Sequence, residues 1–193
     1  MHPPAISEFR KLKFADTQTS VNRRLARRYV YVILYFMNKE IQYLIQLYQT
    51  AYDGDPWYGK SIKSILSEID KDTAVKKVND QHSILELLYH MINWREFTIS
   101  RLDEGKNTTA DFFGENDWQI LDHKDLTLWE RGLKLLDATQ TILIETLKKL
   151  NPEILDKIVA ERKYDGRHLL YGLLEHDVYH LGQIAFIQKS VRA

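Results

Sequence analysis

The residues best suited to chemistry in this chain are imidazoles. His176 and His180 stand four apart, so on a helix their rings lie one above the other on the same face. That face also carries Leu169, Leu173, Ile184 and Ile187, which directs two polar rings into an apolar stripe. A buried imidazole without a partner costs on the order of 1 to 3 kcal/mol, and one shared ion would satisfy both rings. His90 lies on a different amphipathic segment among Leu87, Trp94 and Phe97, which occupy the same side of a helix. By itself it reads more often as a core histidine bonded to a carbonyl than as a ligand. Together the three supply three nitrogens from two helices and leave further coordination positions open, the pattern of a catalytic rather than a closed structural metal site.

Composition narrows the alternatives. The 193 residues contain no cysteine, so thiolate ligands, cysteine nucleophiles and disulfides are excluded, and any metal must be held by nitrogen and oxygen. Lysine plus arginine total 27 and aspartate plus glutamate total 27, a balance that gives no field favouring nucleic acid or an anionic membrane. No apolar run reaches the roughly 18 to 20 residues that span a bilayer. With 44% hydrophobic and 28% charged residues, the expectation is an ordinary soluble, cytoplasmic globular domain.

Two other metal chemistries fit less well. His176-Asp177-Val178-Tyr179-His180 has the outline of the HExxH zinc-protease motif, but an aspartate, one methylene shorter, stands where the glutamate base belongs. A di-iron bundle needs Glu-x-x-His pairs and several inward carboxylates, which Glu86 and Glu175 do not provide. The remaining histidines, His2, His82, His123 and His168, fall near helix starts or in a basic leader and are expected to face solvent.

The elements that must position the three rings are helical. Ile41, Leu44, Ile45, Leu47 and Tyr48 mark a first helix from about residue 38, ending before Asp53-Gly54-Asp55-Pro56. A short amphipathic helix follows over Ile62 to Ile69. Ser83-Ile84-Leu85-Glu86 is a capping box, so a second core helix of about 20 residues starts there. The polar stretch from Lys106 to Asp122 reads as a loop anchored by Phe112, Phe113 and Trp118. A third helix runs from Trp129 to Leu150, stopped by Asn151-Pro152. A helical turn near Ile154 to Ile158 leads to a fourth helix from His168 to Lys189. No stretch alternates with period two. The expected fold is all-α, a bundle of four antiparallel helices with two long connections.

Before this domain, residues 1–36 carry seven basic residues (Arg10, Lys11, Lys13, Arg23, Arg24, Arg27, Arg28) against Glu8 and Asp16, a local charge of +5. The arginines followed by Tyr29 to Phe36 have the outline of an export signal, but no small-residue cleavage pattern follows. Met37 is the expected original start, with 1–36 a poorly ordered or loosely helical extension and 37–193 the bundle domain.

Asp55-Pro56-Trp57-Tyr58-Gly59, Ser83-Ile84 leading to His90 and Trp94, and above all His176-Asp177-Val178-Tyr179-His180-Leu181-Gly182-Gln183-Ile184 resemble the DinB-like (DinB/YfiT-like) metalloenzyme superfamily over residues 37 to 189. The resemblance implies a four-helix bundle with an unusual connection order, often dimeric, with His90, His176 and His180 binding nickel, zinc or a similar ion. Relatives of that kind include bacillithiol S-transferases and thiol-dependent isomerases such as the mycothiol-dependent maleylpyruvate isomerase. A low-molecular-weight thiol as cosubstrate and a small-molecule electrophile as substrate follow as expectations. Metal-dependent hydrolysis, a metal-stabilised sensor without turnover and a metal-free partner-binding bundle stay open beside them. Glu86, one turn before His90, and Gln183, near His180, are candidates to orient an imidazole, and Trp57, Trp94 and Tyr179 are candidates to line the pocket.

Overall fold

The computed structural model describes residues 20–79, 81–103 and 109–192; for 20–27, 110 and 192 it describes the backbone alone. The expected disorder of the basic leader lies, for residues 1–19, outside the described residues. Helix α1 runs unbroken over Ser20–Asp53. It passes through Met37 because neither glycine nor proline occurs between Ser20 and Asp53 to interrupt it. From residue 28 on, where side chains are described, Met37 is the first buried residue of this helix, whereas Tyr31, Tyr35 and Phe36 are exposed.

Two short helices, α2 (Ile62–Leu66) and α3 (Lys71–Ala74), follow, each capped by a side chain, Ser61 and Asp70 respectively. Helix α4 (Ile84–Leu102) begins with the capping box read from the sequence, both reciprocal bonds being present between Ser83 and Glu86. Within the stretch expected to be a loop, α5 (Ala110–Glu115) forms a single capped turn and a half. Thr109 accepts the Phe112 N–H, and Phe113 inserts against Phe97, local support that a polar, glycine-containing composition hid. Helix α6 covers Thr127–Lys149, a 3-10 turn covers Pro152–Asp156, and α7 covers Gly166–Arg192. Ile158 and Asp165 form one isolated antiparallel bridge; no strand is present among the described residues.

The four long helices are not all antiparallel to their neighbours. Tyr89 bonds the Leu128 carbonyl and Arg95 bonds Gln140, so α4 and α6 run in the same direction. Glu40 pairs with Arg167 and Tyr48 with the Leu170 carbonyl, so α1 and α7 are also parallel. By contrast, Tyr52 meets Asp137 while Tyr48 meets Gln140, which sets α1 against α6 in opposite directions. The expectation of antiparallel packing throughout is therefore corrected. The connection over residues 103–126 is long enough to return the chain to the end where α4 began, which permits parallel neighbours.

Two large apolar clusters, one around Leu88, Met91, Leu136 and Ile184, the other around Leu44, Leu143, Leu147 and Leu170, and a smaller one around Phe97, Phe113, Val159 and Leu169 fill the bundle. Between the two large ones lies a buried polar layer. Arg95, 1% exposed, donates to Asp177 at 2.7 Å and to Gln140 at 2.6 Å, while its guanidinium lies over the Tyr52 ring at 5.5 Å. Gln140 in turn donates to the Tyr48 carbonyl at 3.4 Å. This network joins α1, α4, α6 and α7 at one level. A one-turn slip of any of them would strand a buried charge, so the layer fixes the register that brings His90 opposite His176. At Gly132 a Cβ would stand 2.7 Å from Leu88 Cδ2, so the absence of a side chain lets α6 approach α4 closely. No helix among the described residues is long and apolar enough to cross a membrane.

Candidate metal centre

His90 sits in the second turn of α4, and His176 and His180 sit on successive turns of α7. The antiparallel contact of α4 with α7 brings the rings together. His90 Nε2 lies 3.0 Å from His176 Nε2, and His180 Nε2 lies 3.0 Å from the same atom. All three nitrogens lie within 4.8 Å of one another. His90 and His180 are 6% and 5% exposed.

The far nitrogens determine which way the lone pairs point. His90 Nδ1 faces the Asp117 carbonyl at 3.0 Å, with an Asp117 carboxylate oxygen at 3.1 Å. A carbonyl only accepts, so Nδ1 carries the proton and Nε2 presents its lone pair inward. His180 Nδ1 faces Gln183 Oε1 at 2.6 Å, and the Gln183 amide nitrogen donates to the Tyr179 hydroxyl at 3.2 Å, which leaves His180 Nε2 bare by the same reasoning. His176 Nδ1 is buried and has no partner. Even if His176 carried its proton on Nε2, one N–H could serve only one of the two inward lone pairs.

Three inward nitrogens with no donor to divide among them fit a cation. At metal–nitrogen distances of about 2.0–2.1 Å, ligands of one ion stand about 2.9 Å apart at right angles and about 3.3 Å apart in a tetrahedron, which brackets the observed 3.0 Å. Uncharged nitrogen ligands of this kind suit zinc or nickel.

Burial favours the neutral form of His176 and His180, the form that coordination requires. Burial, then His180, His90 and Arg95, holds His176 down to about 3 from an ordinary 6.5. Burial also lowers His180, against the hydrogen bond that its Nδ1–H donates to Gln183. A histidine held below its unfolded value gives stability that is full above about pH 6.5 and is lost as pH falls toward the folded value. The metal-free chain is therefore expected to show a urea midpoint that falls steadily from pH 7 to pH 4. The fall should be smaller in His176→Leu, where His180 still titrates and His90, Asp117 and Arg95 remain around the site. A midpoint equally pH-dependent in both proteins would contradict this assignment.

The structure brings together only some of the residues singled out from sequence. Gln183 Oε1 faces His180 Nδ1 at 2.6 Å. Glu86 does not reach His90: its carboxylate accepts the Ser83 N–H at 2.7 Å and pairs with Lys77 at 2.9 Å, which consumes it in the cap. Trp57 is fully exposed, 100%, and does not line the pocket, because it follows the Asp53–Pro56 turn at the surface. Trp94 is half-buried with its ring 5.6 Å from that of His176, and Tyr179 is 64% exposed beside His180. Asp177, at the place of the protease base, points away into the buried polar layer. Burial pushes its carboxyl up to about 6 in spite of Arg95, and it has no access to the three rings' face.

Three contributors were not evident from sequence. Asp117 orients His90. Trp118 stacks on His90 at 3.9 Å between ring centroids and 6° between planes, and His82 stacks on the other face of Trp118 at 3.6 Å and 7°. His82 is exposed, as expected, and one face of its ring also closes a three-ring wall beside the site. His123, also expected in solvent, lies 3.3 Å from the Ser83 hydroxyl. Nothing local to residues 117 and 118 marks them, since their role exists only once residues 109–118 lie against α4.

Two cavities adjoin the histidines. One of about 760 Å³ opens at His180, between the outer part of α7, Val78, Asn79, Gln81, His82 and Trp118. A smaller one of about 160 Å³ lies behind His176, against Trp94 and Thr98.

The model of the DinB superfamily matches residues 59–184, about two thirds of the chain. The chain belongs to the DinB superfamily. Comparison with curated proteins and with solved structures finds no match. The matched segment of this DinB-superfamily chain includes all three histidines, Asp117, Gln183 and the Arg95–Asp177 pair. All of α1 and the last turns of α7 lie outside it.

Proposed function

We propose that this DinB-superfamily protein is a divalent-metal-dependent enzyme that transfers a low-molecular-weight thiol to small electrophiles. The observation that carries the reading is the convergence of His90, His176 and His180, with the first and last held as Nδ1–H tautomers by Asp117 and Gln183. A zinc or nickel ion held by these nitrogens supplies Lewis acidity, which lowers the pKa of a thiol or water brought to it.

The residues themselves favour a thiol over water as the nucleophile. Hydrolysis calls for a general base within hydrogen-bond reach. Asp177 is buried against Arg95, Glu86 is held in the helix cap, and Asp117 stands behind His90. A thiol with an ordinary pKa near about 8.5 needs little further help to ionise. In the transfer, the thiol proton leaves to solvent, sulfur forms a bond to the electrophilic carbon, and the leaving group departs with its electron pair. The histidines hold the reacting face in place, Trp118 and Leu87 exclude water from one side, and the 760 Å³ cavity has room for both partners.

The test is turnover of 1-chloro-2,4-dinitrobenzene with a panel of thiols, run on metal-loaded protein and after chelation. The expected result is thiol-dependent release of chloride that chelation removes and added zinc or nickel restores. Stoichiometric metal with no reaction for any thiol, together with unfolding on chelation, would replace the enzyme by a metal-stabilised bundle.

A further inference from the structure

The cavity of about 160 Å³ behind His176 has no role in the transfer proposed above. Its lining comes from two continuous stretches, α4 on one side and residues 164–176 on the other. Leu169, Leu173 and Gly172 make one wall apolar, and at Gly172 an added Cβ would meet no atom within 4 Å. Tyr164 and the exposed His168, with ring centroids 5.0 Å apart, line its outer part. Trp94, Thr98 and His176 complete the lining.

Each of these last three side chains carries a buried polar atom with no partner among the described residues: Trp94 Nε1, Thr98 Oγ1 and His176 Nδ1. Other buried hydroxyls on the long helices are satisfied locally, Ser100 donating to the Phe97 carbonyl at 2.7 Å and Thr139 to the Leu136 carbonyl at 3.0 Å. Thr98, 0% exposed, makes no such bond. The other two histidines of the metal centre have an acceptor behind the ring, Asp117 for His90 and Gln183 for His180, and His176 has none. With a cation on the inward nitrogens, His176 carries its proton on Nδ1. The inner end of the cavity therefore gathers an indole N–H, an imidazole N–H and a hydroxyl, a set dominated by donors. Buried donors left unmet are costly, so their grouping at one cavity calls for a shared acceptor. Ordered water gains nothing from the apolar wall, whereas a ligand with an oxygen head and an apolar body uses both surfaces.

We infer that this cavity binds a small carboxylate with an apolar body, the carboxylate oxygens accepting from Trp94 Nε1–H, Thr98 Oγ1–H and His176 Nδ1–H. A carboxylate only accepts, and its bonds to N–H groups are charge-assisted and therefore stronger than those of a neutral carbonyl. Its ring or chain lies against Leu169 and Leu173 and fills the space beside Gly172. Bonded to His176, it does for that ring what Asp117 does for His90, so ligand and metal each bind more tightly in the presence of the other. The inference rests on the metal-dependent reading for the position of the His176 proton and for this coupling, and the contacts to Trp94 and Thr98 stand without it.

The experiment is calorimetric titration of the full chain, supplied with zinc and with its metal content measured on the same samples, using benzoate as the charged probe and benzamide as its neutral counterpart. Wild type should bind benzoate about 10-fold or more tightly than benzamide. Trp94→Phe and Thr98→Val each remove one donor while keeping most of the shape. Both should retain the metal content and helical circular dichroism of wild type and weaken benzoate by about 10-fold. Gly172→Leu, which fills the space without touching a donor, should abolish binding. The Trp94 indole N–H resonance, assigned by its loss in Trp94→Phe, should move downfield when benzoate is added to wild type. Benzoate held as tightly by the three variants as by wild type, with that resonance unmoved, would put the carboxylate on the ion or elsewhere and overturn the inference. Failure of a fully loaded wild type to bind benzoate would overturn it too, and would leave the thiol-transfer reading untouched. Binding of benzoate by a chain that takes up no metal, weakened by Trp94→Phe and Thr98→Val, would keep the carboxylate site and remove the metal-dependent reading.

Discussion

Replacing His176 with alanine is expected to weaken zinc or nickel binding by more than about 100-fold, because loss of an outer partner alone typically costs 10- to 100-fold and this change removes a ligand. His176 is the ring whose Nε2 lies 3.0 Å from both of the others, so without it His90 and His180 no longer share a neighbour. Competition titration of the ion against a chromophoric chelator reads the change. Gln183→Leu should fall between wild type and His176→Ala, by about 10- to 100-fold, since His180 then loses the acceptor that fixes its tautomer while remaining in place. Affinity unchanged in His176→Ala would show that the ion, if bound, is held elsewhere.

The second large effect lies in the buried polar layer. Arg95→Met leaves the fully buried Asp177 carboxylate without its partner, and removing one member of a buried pair costs about 3–5 kcal/mol. Loss on this scale removes a third or more of the stability of an ordinary domain. Chemical denaturation of Arg95→Met and of the double variant Arg95→Met with Asp177→Leu separates the causes. The single change should be strongly destabilised and the double change should recover much of the loss, because an apolar pair leaves no charge stranded. Similar destabilisation in both would mean that packing around Gln140 and Tyr52, rather than the unpaired charge, dominates. The layer also bears on metal binding: Asp177 is flanked by His176 on the same helix, so a register error in α7 displaces both rings at once.

Much of this arrangement is legible in the sequence, for a physical reason. His176 and His180 share a face at a spacing of four, and the leucines and isoleucines around them say that the face is inward, so their convergence follows from helix geometry alone. His90 is located by the same logic from Leu87 and Trp94. The capping box at Ser83 and Glu86 appears as read, and that same cap explains why Glu86 is unavailable to His90. Legibility stops where the partner arrives from far along the chain. Asp117 and Trp118 lie in a connection with no periodicity, and only its path back over α4 puts them on the His90 ring. Arg95 and Asp177 look like surface charges by type, and their burial depends on each finding the other across 82 residues. The start of α1 is a different case. Helix propensity continues upstream of Met37 without a breaker, so the burial boundary at Met37 is not a helix boundary.

The directions of the helices were the other feature not contained in the pattern. Amphipathic periods give faces and lengths, but whether α6 runs with or against α4 is decided by the length of the connection and by pairs such as Tyr89 with Leu128 and Arg95 with Gln140. That choice matters for the site. It places α7 rather than α6 against the His90 side of α4, and Asp117 and Trp118 then cover the same side.

X-ray absorption at the metal edge of the untagged full chain, dialysed after purification, tests the central claim most directly. The account predicts one divalent ion per chain, with scattering from three imidazoles at about 2.0–2.1 Å. Absence of an ion after zinc or nickel is supplied, or an ion bound through fewer than two imidazoles, would contradict it.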